Sequence, residues 1–506
     1  MGIKTCSEKK EFCHEKDKCF LEMRKIIVLA SFFVVFMSAL QLNAQVVEAV
    51  EPQEPKVHVK AVTGEDVADE VKVEAVEVKS VDNGVEQTEN SGKRTRRKYD
   101  WRNRLTLGGY AEAFFTRNFY SDAPYRYSHA ADYRDAKGHG RVDLPHAVIN
   151  LGFDFGRGWS FSTEIEFEHG GIESAVELEA DEFGEFEAEV ERGGEVALEQ
   201  LWIQKSFFKW LNIRAGHLVV PVGQTNNAHL PTEFFTAYRP EGEFYMMPCT
   251  WHETGLSVWG KVGDWFRYEA MIIPSLNSAM FNNSTWVKGG SASPFEFKVA
   301  NNLAGVLRTD FYPVAGLHLG ASGFIGNTFN NDIETIESGK YEDVKGLLAI
   351  GTFEADYRNF GLVARANFDY GYLDESNTIS AYNKNLTTST FSPYPRTLVG
   401  QSAMAVGGEL AYDVLNEVKM KHPMKLYLFG RYDYYDTYIP AEGTANFYTW
   451  TEKHVMTAGI NFYPMKEIVV KAEFKERFFK KEYGYNNEPA FSIGVAYSGF
   501  FIKPEK

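Results

Sequence analysis

Residues 211–223 read LNIRAGHLVVPVG and residues 252–264 read HETGLSVWGKVGD. Each alternates polar and apolar side chains over a length that suits a tilted strand crossing a lipid bilayer. Between them lie about thirty residues with almost no alternation, too many for a hairpin turn. Pro231, Pro240 and Pro248, with Pro221 just before them, stand there among Phe234, Phe235, Tyr238, Phe244 and Tyr245, so the loop is expected to pack on something.

Outward from this stretch, the same texture runs from Trp101 to Phe501. About sixteen alternating segments start near Arg104, Val142, Trp159, Glu195, Leu211, His252, Trp265, Glu296, Gly316, Val344, Phe360, Ser402, Met424, Lys453, Glu467 and Pro489. Their links alternate in length. Short ones fall at Arg157-Gly158, Lys209-Trp210, Gly263-Asp264, Val314-Ala315, Arg358-Asn359 and Met465-Lys466, with a longer one near 416–423. Long ones cover about 120–141, 170–194, 223–251, 276–295, 327–343, 372–401, 437–452 and 479–488. An even strand number with short turns at one end and long loops at the other predicts an all-β, closed antiparallel transmembrane barrel of about 16 strands. The short turns would be periplasmic and the long loops extracellular.

The two faces of the segments sort as a bilayer requires. Leu362, Ala364, Ala366, Phe368 and Tyr370 alternate with Val363, Arg365, Asn367 and Asp369, a lipid face against a wet one. Phe161, Thr163, Ile165 and Phe167 are likewise predicted outside, with Glu164, Glu166 and Glu168 inside. In 468–478, Val470, Ala472, Phe474 and Phe478 face out while Lys471, Glu473, Lys475 and Arg477 face in, and Glu476, on the outer face, belongs near a membrane boundary. Between Ala197 and Lys205 the alternation fails at Trp202, which calls for a bulge. Trp101, Trp159, Trp210, Trp265, Tyr312, Phe360, Tyr463 and Phe501 sit at segment ends, where they would form aromatic girdles.

These parities nominate a lumen wall of Arg214, Arg267, Arg308, Arg365, Arg431, Lys471, Lys475 and Arg477, interleaved with Glu164, Glu166, Glu269, Glu354, Asp356, Asp369, Asp433 and Glu473. Such charges bias ion passage or pair across strands and keep the lumen wet. If the long loop after residue 223 folds inward, His229, Glu233, Arg239, Glu241, Glu243 and His252 would stand at a constriction, where desolvation makes each charge count most.

The N-terminal fifth has a different composition. Met23-Arg24-Lys25, the apolar run Ile26 to Leu40, and Gln41-Leu42-Asn43-Ala44 form the three regions of a secretory signal peptide, residues 23–44, with cleavage expected after Ala44. Residues 1–22 are then an upstream start. Residues 45–100, rich in Val, Glu, Lys and Ala, read as a disordered acidic periplasmic extension, and 101–506 as the barrel domain. The basic cluster Lys93 to Lys98 that ends the extension could lie against anionic head groups. The chain after Ala44 keeps 46 basic and 64 acidic residues, a net charge of −18, which excludes nucleic acid as a partner. Its one cysteine, Cys249, rules out an internal disulfide.

Two clusters remain. The link 170–194 carries nine acidic residues between Glu173 and Glu191, alternating acid with apolar, which suits a hairpin projecting from the barrel or onto a neighbouring subunit. His129, Asp132, His139, Asp143 and His146 have ligand chemistry but no specific spacing, so no metal or other cofactor is expected. No Gly-x-Ser-x-Gly, His-Glu-x-x-His or P-loop occurs, and the chain is not expected to be an enzyme.

The stretches RLTLGGYAEAFFTRNF, YSHAADYRDAKGHGRVDLPHAVINLGFDFG, GGEVALEQLWIQKSFF, LNIRAGHLVVPVG and MPCTWHETGLSVWG resemble outer-membrane porins of Bacteroidetes-type bacteria, similar to the phosphate-selective porin superfamily. The resemblance implies a sixteen-stranded barrel, a homotrimer in the bacterial outer membrane, and a third loop, here about 223–251, folded into the pore. Phosphate-selective members have a basic arginine ladder, whereas acids alternate with the bases here. The expected function is an outer-membrane channel for passive diffusion of small hydrophilic solutes or ions, in contact with outer-membrane lipid and lipopolysaccharide. The alternative is a surface binding or adhesion protein with a plugged barrel.

Overall fold

The structure, a computed structural model, describes residues 101–503 apart from 170–173, 181–185, 193–195, 294–296, 332, 334–335, 337–340, 342 and 386–396. The upstream start, the signal peptide, the acidic extension and its basic cluster all lie outside the described residues.

Alternation becomes strand throughout. The first half holds β1 (Leu105–Asn118), β2 (Gly140–Asp143), β3 (His146–Gly156), β4 (Trp159–Glu168), β5 (Ser174–Ala180), β6 (Phe186–Arg192), β7 (Val196–Phe208), β8 (Leu211–Val219), β9 (His252–Val262) and β10 (Phe266–Pro274). The second holds β11 (Leu303–Val314), β12 (Leu317–Asn327), β13 (Leu347–Asn359), β14 (Leu362–Leu373), β15 (Ser402–Asp413), β16 (Lys425–Ile439), β17 (Glu452–Met465), β18 (Ile468–Phe478) and β19 (Glu488–Ile502). Each barrel strand pairs antiparallel with its neighbours in sequence, and β19 closes the ring on β1 from Leu107↔Ile502 to Asn118↔Ala490. Both β2 and β3 pair with β1 and count as one strand, interrupted at Leu144-Pro145 because proline has no N–H for the ladder. With β5 and β6 paired only to each other, sixteen strands form the closed barrel. The described parts of the 170–194 link thus pair antiparallel, as its alternation suggested. Closure matters physically, because a sheet without edges leaves no backbone group unpaired against lipid.

Two starts moved by three residues or more: β11 begins at Leu303, while the expected Glu296 lies outside the described residues, and β13 begins at Leu347 instead of Val344. Turns are tight where predicted. At Gly316, with φ 84°, a Cβ would come within 2.5 Å of the Arg358 carbonyl oxygen, so only glycine fits.

Burial follows the predicted parity. Along β14 every residue of the Val363, Arg365, Asn367 and Asp369 series is buried, while Phe368 and Tyr370 are 45% and 43% exposed. Leu410, Met456, Phe474 and Ile493 continue this apolar outer surface around the ring, far more exposed hydrocarbon than a water-soluble surface carries. Trp159, Trp265, Tyr312, Phe360 and Phe501 are exposed at the short-turn end as a girdle requires. Tyr463 departs from that expectation: it shares the inward parity of Asn461, and its hydroxyl donates to the Thr232 carbonyl. Thr163 is covered by neighbouring strands and donates to the Gln200 carbonyl. Glu476 accepts from Asn487 in the adjoining loop, which fits a boundary position.

Candidate functional site

The loop from Val220 to Trp251 runs through the barrel interior. Two short helices shape it, α1 (Gln224–Asn227) and α2 (Glu241–Met246). Pro240 caps α2, Glu241 and Glu243 sit in its first turn where carboxylates suit the helix dipole, and Pro248 prevents its continuation. Glu243 turns back on its own loop and accepts from the Gln224 and Thr225 amides at 2.7 and 2.5 Å. Gly223, with φ 84°, makes room for it, since a Cβ there would lie 2.9 Å from the Glu243 carboxylate.

From its root between β8 and β9 the loop reaches the far side of the ring. Lys471 on β18 donates to the Phe234 and Thr236 carbonyls at 2.9 and 2.8 Å, Glu473 accepts from the Ala237 amide at 2.7 Å, and Asn461 on β17 donates to the Phe235 carbonyl at 2.9 Å. Phe235 packs between Tyr427 and Phe429 of β16. Glu241 is the strongest anchor, with Lys475 Nζ at 2.7 Å, Arg477 Nε and Nη2 at 2.7 and 2.8 Å, and the Tyr435 hydroxyl at 3.1 Å. Burial works against its charge, but Arg477 and Lys475 outweigh burial and hold the carboxyl well below the usual range.

The other nominated loop residues scatter. Glu233 sits near Arg358 and Asp356, its carboxyl raised by burial. Arg239 is buried; burial opposes its charge, while Cys249, Tyr110, Glu199 and Glu166 around it keep it firmly protonated. His229 packs edge-on against Tyr110. His252 is a correction. It is the first residue of β9, on the face opposite buried Glu253 and Ser257, beside His217 at 2.6 Å, so strand parity turns it away from the interior.

The nominated wall residues all lie on the inward face, most of them already engaged. Arg267 bridges Glu269 (2.5 Å) and Asp310 (3.0 Å), and Arg308 bonds Glu354 and Asp310. Arg365 bonds Asp356 at 2.8 Å, and Arg431 bonds Asp433 at 2.7 Å. Arg214 lies over the Trp202 ring, 4.5 Å from its centroid, and donates to Gln204. Cross-strand pairing therefore takes up most of this charge.

Sequence parity missed one group on the β1 to β7 side. Opposite β4 the ladder of β7 is bulged at Glu199, which leaves Glu199 fully buried and hydrogen-bonded to the Tyr110 hydroxyl at 3.0 Å. Glu112, bonded to His146 Nδ1 at 2.5 Å, stands nearby with Glu164 and Glu166. The failure of alternation at Trp202 was the only signal of that bulge. A second feature is apolar: Met246, Met247 and Trp251 pack with Phe281, Trp286 and Phe329 from the following loops, and Trp286 donates to the Gly400 carbonyl at 2.9 Å.

No family model matches the sequence. The chain is 25% identical over 393 residues to an uncharacterized protein of Aquifex aeolicus (strain VF5), covering 76% of this chain and 78% of that protein. Among solved structures it is similar to the outer membrane channel DcaP of Acinetobacter baumannii (TM-score 0.45, 13% identity, 78% of this chain and 97% of that one). It is also similar to OprB of Pseudomonas putida (TM-score 0.46, 11% identity, 79% and 94%) and to OmpF of Salmonella typhi in complex with daunomycin (TM-score 0.47, 11% identity, 79% and 98%).

Proposed function

We propose that the protein is an outer-membrane channel for passive diffusion of small hydrophilic solutes or ions, narrowed by the loop 220–251. The supporting observation is the loop's anchorage: it leaves the ring between β8 and β9 and binds β16, β17 and β18 through Phe235, Asn461, Lys471 and Glu241. A loop fixed across a polar lumen sets a pore's width and presents its own charges to whatever passes. In this reading residues 23–44 direct export and are removed after Ala44, 45–100 extend into the periplasm, the barrel contacts lipid and lipopolysaccharide, and three copies assemble with the β5–β6 hairpin available to a neighbour. The mixed lining favours no strong preference for phosphate.

A second reading is supported by the apolar packing of Trp251, Trp286 and Phe329 inside the barrel, which suits a plugged barrel that displays its loops for binding. Liposome swelling separates the two. A channel admits small sugars at rates that fall with sugar size, whereas a plugged barrel gives no swelling above protein-free vesicles.

A further inference from the structure

Three donor atoms converge where the crossing loop meets β4 and β7: an oxygen of Glu164, an oxygen of Glu199 and a ring nitrogen of His229, all within 4.8 Å of one another. Each group is held from behind. Asn150 and Gln200 donate to the two oxygens of Glu164 at 2.6 and 2.5 Å, and the Tyr110 hydroxyl donates to Glu199 Oε2. The other oxygen, Glu199 Oε1, is completely buried and receives no hydrogen bond from a nitrogen or hydroxyl group among the described residues. On His229, Nδ1 lies 3.2 Å from the Asn226 carbonyl, which can only accept, so Nδ1 carries a proton and Nε2 of the neutral ring keeps its lone pair free for a ligand. Three lone-pair donors brought this close repel one another, and a cation bound between them removes that repulsion.

We propose that Glu164, Glu199 and His229 bind a divalent transition-metal ion of the Zn2+ type. One imidazole nitrogen and carboxylate oxygens are suitable ligands for such ions, and a histidine ligand whose second nitrogen is held by a carbonyl is the usual outer-sphere arrangement. Arg239 lies close enough to Glu199 to contribute charge, but its Nε and Nη2 make no hydrogen bond among the described residues, so it does not occupy the space between the three donors. The ion would tie the loop, through His229, to the wall opposite its Glu241 anchor, fixing it on both sides of the barrel. Two similar clusters fit less well. In Asp310, His318 and Glu354 the carboxylates are taken by Arg267 and Arg308. His146, Glu166 and Glu168 lie wholly on β3 and β4, and serve as a control.

The test is calorimetric titration of the full chain, folded in detergent without a histidine tag, with Zn2+. One ion per chain is expected, with His229→Gln and Glu199→Gln each weakening binding at least about tenfold, and His146→Gln leaving it unchanged. Heat-modified mobility on gels reports that each variant is folded. X-ray absorption of the Zn2+-loaded wild type, which needs no variant, should show only nitrogen and oxygen ligands with imidazole scattering. Absence of stoichiometric binding, unchanged affinity in His229→Gln, or loss only in His146→Gln would overturn the proposal. Binding is read without any conductance measurement, so it stands or falls independently of the channel reading.

Discussion

Replacing Glu241 by glutamine keeps the shape of the loop anchor and removes its charge. The carboxylate receives three charge-assisted bonds, one from Lys475 and two from Arg477, in a buried site. Removing one member of such a cluster costs about 3–5 kcal/mol. Because Arg477 keeps a second partner, Glu488 at 2.8 Å, the lower figure applies. About 3 kcal/mol is roughly a hundredfold in the docking equilibrium. Hydrogen exchange read by mass spectrometry should therefore show protection of 232–247 falling by about two orders of magnitude in Glu241→Gln, with β16 to β18 unchanged. The pH dependence has a definite sign. A carboxyl whose value is lowered on docking contributes fully above the ordinary glutamate value of about 4.3 and loses that contribution as pH falls through the lowered one. Wild-type protection should then be the same at pH 7 and pH 5. Unchanged protection in Glu241→Gln, or an equal loss in the strands, would refute the anchor.

Other perturbations separate the loop from the barrel. Gly242→Leu places a side chain where a Cβ already lies 2.9 Å from that of Ala405, so the loop should undock and become cleavable by protease while the folded-barrel gel mobility persists. Lys471→Met leaves the Phe234 and Thr236 carbonyls without their donor, a loss of about 1–3 kcal/mol for each buried group, and exchange should rise around 234–237. Phe368→Arg, on the outer face at mid-strand, should destabilise the barrel in lipid by about 2–4 kcal/mol in urea titrations; a change below 0.5 kcal/mol would place that face away from lipid.

Period-two alternation is a local property, so the ring was legible from single segments: β14 and β18 read as the structure has them. What sequence could not carry was contact across the lumen. Lys471 and the Phe234 carbonyl it bonds are 237 residues apart, and no spacing rule joins them. Glu243, nominated for the constriction, instead caps its own loop through backbone amides that any sequence possesses. Parity also fails wherever a strand is irregular or its edge is misplaced by one residue. The bulge hid Glu199, and counting His252 with the loop instead of with β9 put it on the wrong face. Of the acidic group on β1, β4 and β7, only Glu199 lay in the segment where alternation broke, while Glu164 and Glu166 on β4 were legible from parity.

A channel requires that a water-filled path remain beside the docked loop. Single-channel recording in planar bilayers tests it directly, with wild type and Glu241→Gln compared at neutral pH. Discrete conductance steps are expected for the wild type, and larger or noisier steps once the loop is released. Folded wild-type protein that inserts yet gives no steps, with Glu241→Gln equally silent, would contradict it.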